Sequence, residues 1–158
     1  MKTFSSLITL SLLIAAASAA RADDTSPEEQ AKKDQLHIAV QQICPVSGQK
    51  LGNHGTPIKV TVGAKKEEIF LCCQGCLKQK IDPQHWATIH ANMAKAQEVC
   101  PVMEKPLPKN PKWTIVNGQM VYVCCPPCTD KVARNPGEFL KKVDAYYASN
   151  IQTGSTKQ

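Results

Sequence analysis

Aromatic residues make up only 5% of the 158-residue chain, so ring packing is a thin resource and the core needs some other means of support. No basic cluster interleaved with aromatics occurs, and once Lys2 and Arg21 are set aside the balance is 17 basic to 13 acidic residues, a net of +4. That excess is too small to argue for a nucleic-acid partner. No nucleophile–base pair, paired catalytic carboxylates or phosphate-binding loop is present, and the sequence is read as non-enzymatic. No histidine follows either Cys-x-x-Cys, which excludes c-type haem attachment. The longest apolar run, Leu7 to Ala17, is too short to span a bilayer.

That run belongs to a secretory signal. Lys2 supplies the positive start, and Ala20-Arg21-Ala22 is a small-x-small cleavage signal, so residues 1–22 are expected to be removed. The mature chain of 136 residues would then be periplasmic or secreted, with no membrane span after signal removal.

All eight cysteines lie in that mature part, and their order shows a duplication. Each half reads Cys-Pro-Val, a gap, an apolar run with one aromatic, then Cys-Cys-x-x-Cys. The first copy is Cys44-Pro45-Val46 with Phe70-Leu71-Cys72-Cys73-Gln74-Gly75-Cys76. The second is Cys100-Pro101-Val102 with Tyr122-Val123-Cys124-Cys125-Pro126-Pro127-Cys128. The gaps differ, 27 residues against 23, as when a turn grows in one copy.

Between the cysteines, Pro57 to Val62 alternates apolar and polar, Gly63 to Glu68 is turn-like, and Glu68 to Cys72 is β-rich, which makes a hairpin. Lys65-Lys66-Glu67-Glu68 reads as its solvated tip. The second copy is tighter: Trp113 to Val116, the turn dipeptide Asn117-Gly118, then Gln119 to Val123. Asp82-Pro83 and Asn135-Pro136 each place a cap residue before a proline at the first helical position. Trp86, Ile89, Met93 and Ala96, and likewise Phe139, Leu140, Val143, Tyr146 and Tyr147, then recur at helical spacing. Upstream, Ser26-Pro27-Glu28-Glu29 fits a capping box, and Leu36, Ala39, Val40 and Ile43 form a stripe, so a helix is expected over 27–43. Lys105 to Lys112 is proline-rich and reads as a surface loop. The organisation expected is a signal at 1–22, a helical segment at 23–43, modules at 44–97 and 98–148, and a disordered tail at 149–158.

The Cys-Pro-Val knuckle, the hairpin ending in aromatic-x-Cys and the Cys-x3-Cys spacings of Cys72/Cys76 and Cys124/Cys128 resemble the TRASH/YHS superfamily of small heavy-metal-binding modules. The likeness covers about residues 44–97 and 100–147. It implies an α+β chain of two small treble-clef or zinc-ribbon-like modules, each with a knuckle, a β-hairpin and a helix, preceded by the N-terminal helix. It also implies core ligands at Cys44, Cys72 and Cys76, and at Cys100, Cys124 and Cys128. Many zinc knuckles carry a second cysteine three residues after the first, and here Ser47 and Met103 stand in those places.

The residues themselves point to a soft ion. Thiolates suit Zn(II) or Cu(I), and zinc prefers four donors at about 2.3 Å. Cys73 and Cys125 are candidates for a fourth, although neighbours at a strand end point to opposite faces, which argues against both members of a pair reaching one ion. Met103 offers a thioether, and Pro126-Pro127 stiffens the second chelating turn, so the second module is expected to hold metal more tightly. The cargo would be a metal ion, Zn2+ or Cu+, with a metal-transfer protein as a possible partner. Two other uses of the cysteines stay open: four disulfides running from knuckle to strand, and thiol redox chemistry at Cys73/Cys76 and Cys125/Cys128, though without the βαβ surroundings of a dithiol oxidoreductase.

The histidines add little. His85 and His90 are five apart on one helix and poorly placed to share an ion; His54 sits in a solvated turn, and His37 borders the core. Trp86 and Trp113 are assigned to packing.

Overall fold

The computed structural model describes residues 26–154. The expected signal at 1–22 and the end of the chain from 155 lie outside the described residues. The order is helix α1 (Pro27–Gln41), strands β1 (Ile58–Val62) and β2 (Glu67–Leu71), a single 3-10 turn (Gln74–Cys76) and α2 (Pro83–Gln97). Strands β3 (Lys112–Val116) and β4 (Gln119–Val123) follow, then α3 (Pro126–Arg134) and α4 (Pro136–Gly154). The chain is thus α+β, with two separate antiparallel hairpins.

Local chemistry sets the boundaries. The Ser26 hydroxyl accepts from the Glu29 amide while the Glu29 carboxylate accepts from the Ser26 amide, the reciprocal box that starts α1. Asp82 accepts from the amides of Gln84 and His85 and starts α2 with Pro83 in its first turn. In the first hairpin Ile58 faces Leu71 and Val62 faces Glu67; in the second, Lys112 faces Val123 and Val116 faces Gln119. The Asn117-Gly118 turn has positive φ at both residues, 48° and 78°, as the tight hairpin requires.

The duplication reaches further upstream than the cysteines. Helices α1 and α2 both end on a residue with positive φ, Gln42 (67°) and Glu98 (56°), and each next pairs one residue in an isolated bridge, Ile43 with Lys50 and Val99 with Pro106. The last residues of both helices, Gln41 and Gln97, are fully buried. Gln41 Nε2 donates to the carbonyls of Ile43 and Phe70, and its Oε1 accepts from the Phe70 amide. Gln97 does the same with Val99 and Tyr122. Each glutamine therefore completes the free edge of the strand that leads to the Cys-Cys-x-x-Cys. Helix α2 serves twice, closing the first copy and opening the second.

The larger core joins Val40 of α1, Ile89 and Met93 of α2, Met120 to Val123 of β4, Val132 of α3, and Leu140, Val143 and Tyr147 of α4. A smaller one holds Cys44, Leu51, Phe70, Leu71, Cys72 and Cys76. Helix α4 is also fixed to α1: His37 Nε2 lies 2.9 Å from Asp144 Oδ1, Lys33 lies 3.5 Å from the same carboxylate, and the His37 ring meets Tyr147 edge-on.

Four expectations need correction. Residues 149–154 continue α4 rather than starting a disordered tail, because Ile151 extends the apolar stripe of Val143 and Tyr147 and Asn150 donates to the Ala96 carbonyl. Trp113 is 45% exposed, its ring packing on His90 but covered no further by the core. Ala39, placed in the α1 stripe, is exposed, while Gln41 is buried. Finally, Glu67 is buried rather than solvated: the Glu68 amide donates to the Gly118 carbonyl, so the start of β2 docks on the second hairpin's turn.

That docking leaves Glu67 Oε1 without a partner, and burial pushes its carboxyl up to about 7. A carboxyl raised on folding favours the folded state fully below its unfolded value and loses that contribution as pH rises through 7. Glu67→Gln should therefore stabilise the protein by about 1–2 kcal/mol at pH 8 and by little at pH 5. Urea unfolding at both pH values checks this, and an equal effect at the two would exclude a buried charge as its cause.

Candidate metal centres

Each knuckle is a tight turn closed by backbone bonds. The Gly48 amide donates to the Cys44 carbonyl at 2.9 Å and the Cys44 amide to the Gln49 carbonyl at 2.8 Å; in the second copy Glu104 and Cys100 make the first of these at 2.8 Å, and Cys100 and Lys105 the second at 2.9 Å. The Asp82 amide donates to the Pro45 carbonyl, fixing the start of α2 to the first knuckle. Gly48 takes φ +69°, which Glu104 also adopts at 53° in the second copy; what is particular to the first is that a Cβ added here would lie 2.5 Å from His85 Nε2, so the His85 ring would have to move.

The knuckle cysteine meets the end of the hairpin. Sulfurs of Cys44, Cys72 and Cys76 lie within 4.8 Å of one another, as do those of Cys100, Cys124 and Cys128. Both sets are those implied by the resemblance. Cys44 to Cys76 and Cys72 to Cys76 are each 3.7 Å. Cys124 to Cys128 is 3.9 Å. All eight thiols are free.

Cys73 and Cys125 approach two members of their triads but belong to neither mutually close set, which holds only the knuckle cysteine and the outer Cys-x3-Cys pair. Cys73 Sγ is 3.8 Å from Cys72 and 4.0 Å from Cys76; Cys125 Sγ is 3.8 Å from Cys124 and 3.0 Å from Cys128. Cys73 and Cys125 keep extended backbone, with φ/ψ of −164°/170° and −154°/157°, and the turn after each brings the last cysteine of the Cys-x-x-Cys back toward it.

The electrostatics of the two sites repeat as well. Burial opposes ionisation of Cys44, but amides of Ser47, Cys72 and Val46 and the Ser47 hydroxyl outweigh it and lower the thiol to about 6. Cys100 is likewise lowered against burial by amides of Cys124, Met103 and Val102. The knuckle is therefore a nest for one thiolate. Burial and the neighbouring sulfurs push Cys76 up to about 12, and Cys128 is raised for the same reasons. A nearby cation would reverse this penalty for all members of a site.

The copies differ at the position three residues after the knuckle cysteine. Ser47 Oγ lies 3.3 Å from Cys72 Sγ, whereas Met103 is 45% exposed. No histidine joins either triad among the described residues. His54 is exposed in its turn, His85 packs on Gly48, and His90 is enclosed by Trp86, Trp113 and Tyr122, with Nδ1 2.8 Å from the Tyr122 hydroxyl.

Two groups of residues escaped the sequence reading. Gln41 and Gln97 carried a signal, because Gln-x-x-Cys-Pro-Val occurs in both copies. The thiol-bonding role of Ser47 had none beyond its place in the knuckle. In comparisons with known proteins, no family model, no curated protein and no solved structure matches this chain.

Proposed function

We propose that the chain is an exported, non-enzymatic heavy-metal-binding protein that holds a soft ion, Zn(II) or Cu(I), in each of two thiolate sites and acts in metal handling, sensing or transfer. The observation that carries this reading is the spacing of the sulfurs. A tetrahedral site with bonds of about 2.3 Å has donor–donor edges of about 3.8 Å. In the first site Cys76 lies 3.7 Å from both Cys44 and Cys72, and the three sulfurs of each triad all lie within 4.8 Å of one another. Buried thiols so placed repel one another once ionised, and a cation removes that repulsion. The order of knuckle, hairpin and helix in each copy supports treble-clef-like modules of the TRASH/YHS kind, with Cys44, Cys72 and Cys76, and Cys100, Cys124 and Cys128, as core ligands. Cys73 and Cys125 flank them as further donors. Export rests on the leader-like residues 1–22.

Reduced mature protein is expected to bind two soft ions, one per thiolate set. Since Cys44 ionises near 6 and Cys76 near 12, loading must displace protons from the higher thiols, and affinity should rise with pH between 6 and 8. Elemental analysis combined with free-thiol counting, on protein purified from its own compartment, tests the reading. Metal-free protein with every cysteine oxidised would overturn it.

A further inference from the structure

The two Cys-x-x-Cys turns share a backbone but not a sulfur arrangement. In both, the amide of the last cysteine donates back to the carbonyl of the first: Cys76 to Cys73 at 3.2 Å, Cys128 to Cys125 at 3.1 Å. Yet the sulfurs of Cys73 and Cys76 stand 4.0 Å apart, and those of Cys125 and Cys128 only 3.0 Å. Cys76 is held between Cys44 and Cys72, at 3.7 Å from each. Cys128 instead leans toward Cys125 and lies 3.9 Å from Cys124. The first turn is a three-residue 3-10 turn containing Gly75; the second is the start of the nine-residue α3, with Pro126 and Pro127 fixing its first turn.

We infer that the second site carries a thiol–disulfide switch, in which oxidation of Cys125 and Cys128 to a disulfide withdraws Cys128 from the ligand set and unloads the second module alone. The inference rests on the metal-holding reading of Cys100, Cys124 and Cys128. A disulfide needs its sulfurs about 2.05 Å apart, so the second pair must close by about 1 Å and the first by about 2 Å. The vicinal pair Cys124-Cys125 is no competitor, because bridging neighbours strains the ring.

The oxidant belongs to the class of small exposed disulfides. Cys125 is half-buried and Cys128 is 2% exposed, which fixes the order of attack. The Cys125 thiolate attacks one sulfur of the small disulfide; a mixed disulfide forms, the old S–S bond breaks and one thiolate leaves. The Cys128 thiolate then attacks the Cys125 sulfur, forming the internal bond and expelling the second thiolate. The protein loses two electrons and the small disulfide is reduced to two thiols. Of the second triad only Cys100 and Cys124 remain as thiolates, too few for a closed soft-metal site, while Cys44, Cys72 and Cys76 are untouched.

The test uses reduced full-length mature protein loaded with Zn(II), treated with oxidised glutathione under anaerobic conditions. Released zinc is read with a chromogenic chelator, and disulfides are mapped by mass spectrometry. The expected result is release of one of two ions, a Cys125–Cys128 bond, and recovery of binding after reduction. In Cys125→Ser, with bound zinc quantified before oxidation, the second ion should stay. Protein that fails to load two ions sinks the metal reading and the switch with it. Protein that loads two but oxidises first at Cys73 and Cys76, or releases both ions together, sinks the switch alone.

Discussion

Gln97→Ala should cost about 4 kcal/mol of folding stability, although the side chain touches no proposed ligand. The reason lies in three bonds made by one fully buried amide. Its Nε2 donates to the Tyr122 carbonyl at 2.6 Å and the Val99 carbonyl at 2.9 Å, and its Oε1 accepts from the Tyr122 amide at 2.8 Å. Tyr122 lies on β4, every residue of which is buried, so its amide and carbonyl have no access to water once the glutamine is gone. Two orphaned backbone groups at about 1–3 kcal/mol each, with the cavity left by the amide, give the total. Gln97→Glu should recover little, because it removes both donors and buries a charge. Gln41→Ala deletes the equivalent bonds to Phe70, but in the smaller core around Cys44, so it should loosen the first site more than the whole fold. Urea unfolding of reduced protein measures all three. A loss below about 1 kcal/mol for Gln97→Ala would mean that water replaces the side chain.

The elements legible in the sequence are those set by neighbours along the chain. Ser26 and Glu29, Asp82 and Pro83, and Asn117 and Gly118 each fix a start or a turn within four residues, and the structure has all three where their chemistry puts them. Duplication grouped the eight cysteines into two sets of four, and the resemblance to known metal-binding modules, not the spacing, singled out the triad within each set. What local pattern could not carry was contact between distant segments. Glu67 reads as a charged tip until the turn at Gly118 is set against Glu68. His37 reads as a bordering residue until α4 brings Asp144 to it. The Cys-Cys pairs read as leading away from the site until the turn after each returns the last cysteine of the Cys-x-x-Cys to the first. Helix α3 exists where the first copy has only a 3-10 turn, since Pro126 and Pro127 preset helical φ and no glycine interrupts the turn.

The single-site variants Cys44→Ser and Cys100→Ser should each lose one ion and keep the other, and the ion kept by Cys100→Ser should be held about tenfold or more tightly than the ion kept by Cys44→Ser. This reverses the order expected from the stiff Pro126-Pro127 turn and the Met103 thioether. Met103 is 45% exposed, so it offers the second site no enclosed donor. The first site has Cys44, Cys72 and Cys76 all buried, and the Ser47 hydroxyl 3.3 Å from the Cys72 sulfur. A hydrogen bond to a charged sulfur stabilises the ligated thiolate by about 1.5–3 kcal/mol, and about 1.4 kcal/mol already corresponds to a factor of ten. In the second site Cys124 is half-exposed and Cys128 leans toward Cys125, so the triad must rearrange before it closes on an ion. Ser47→Ala, made in the Cys100→Ser background, should remove most of the first site's advantage while leaving the bound ion countable. Competitive titration against a chelator of known affinity decides it. Equal affinities in the two single-site variants, or a tighter second site, would show that turn stiffness outweighs both burial and the serine hydroxyl.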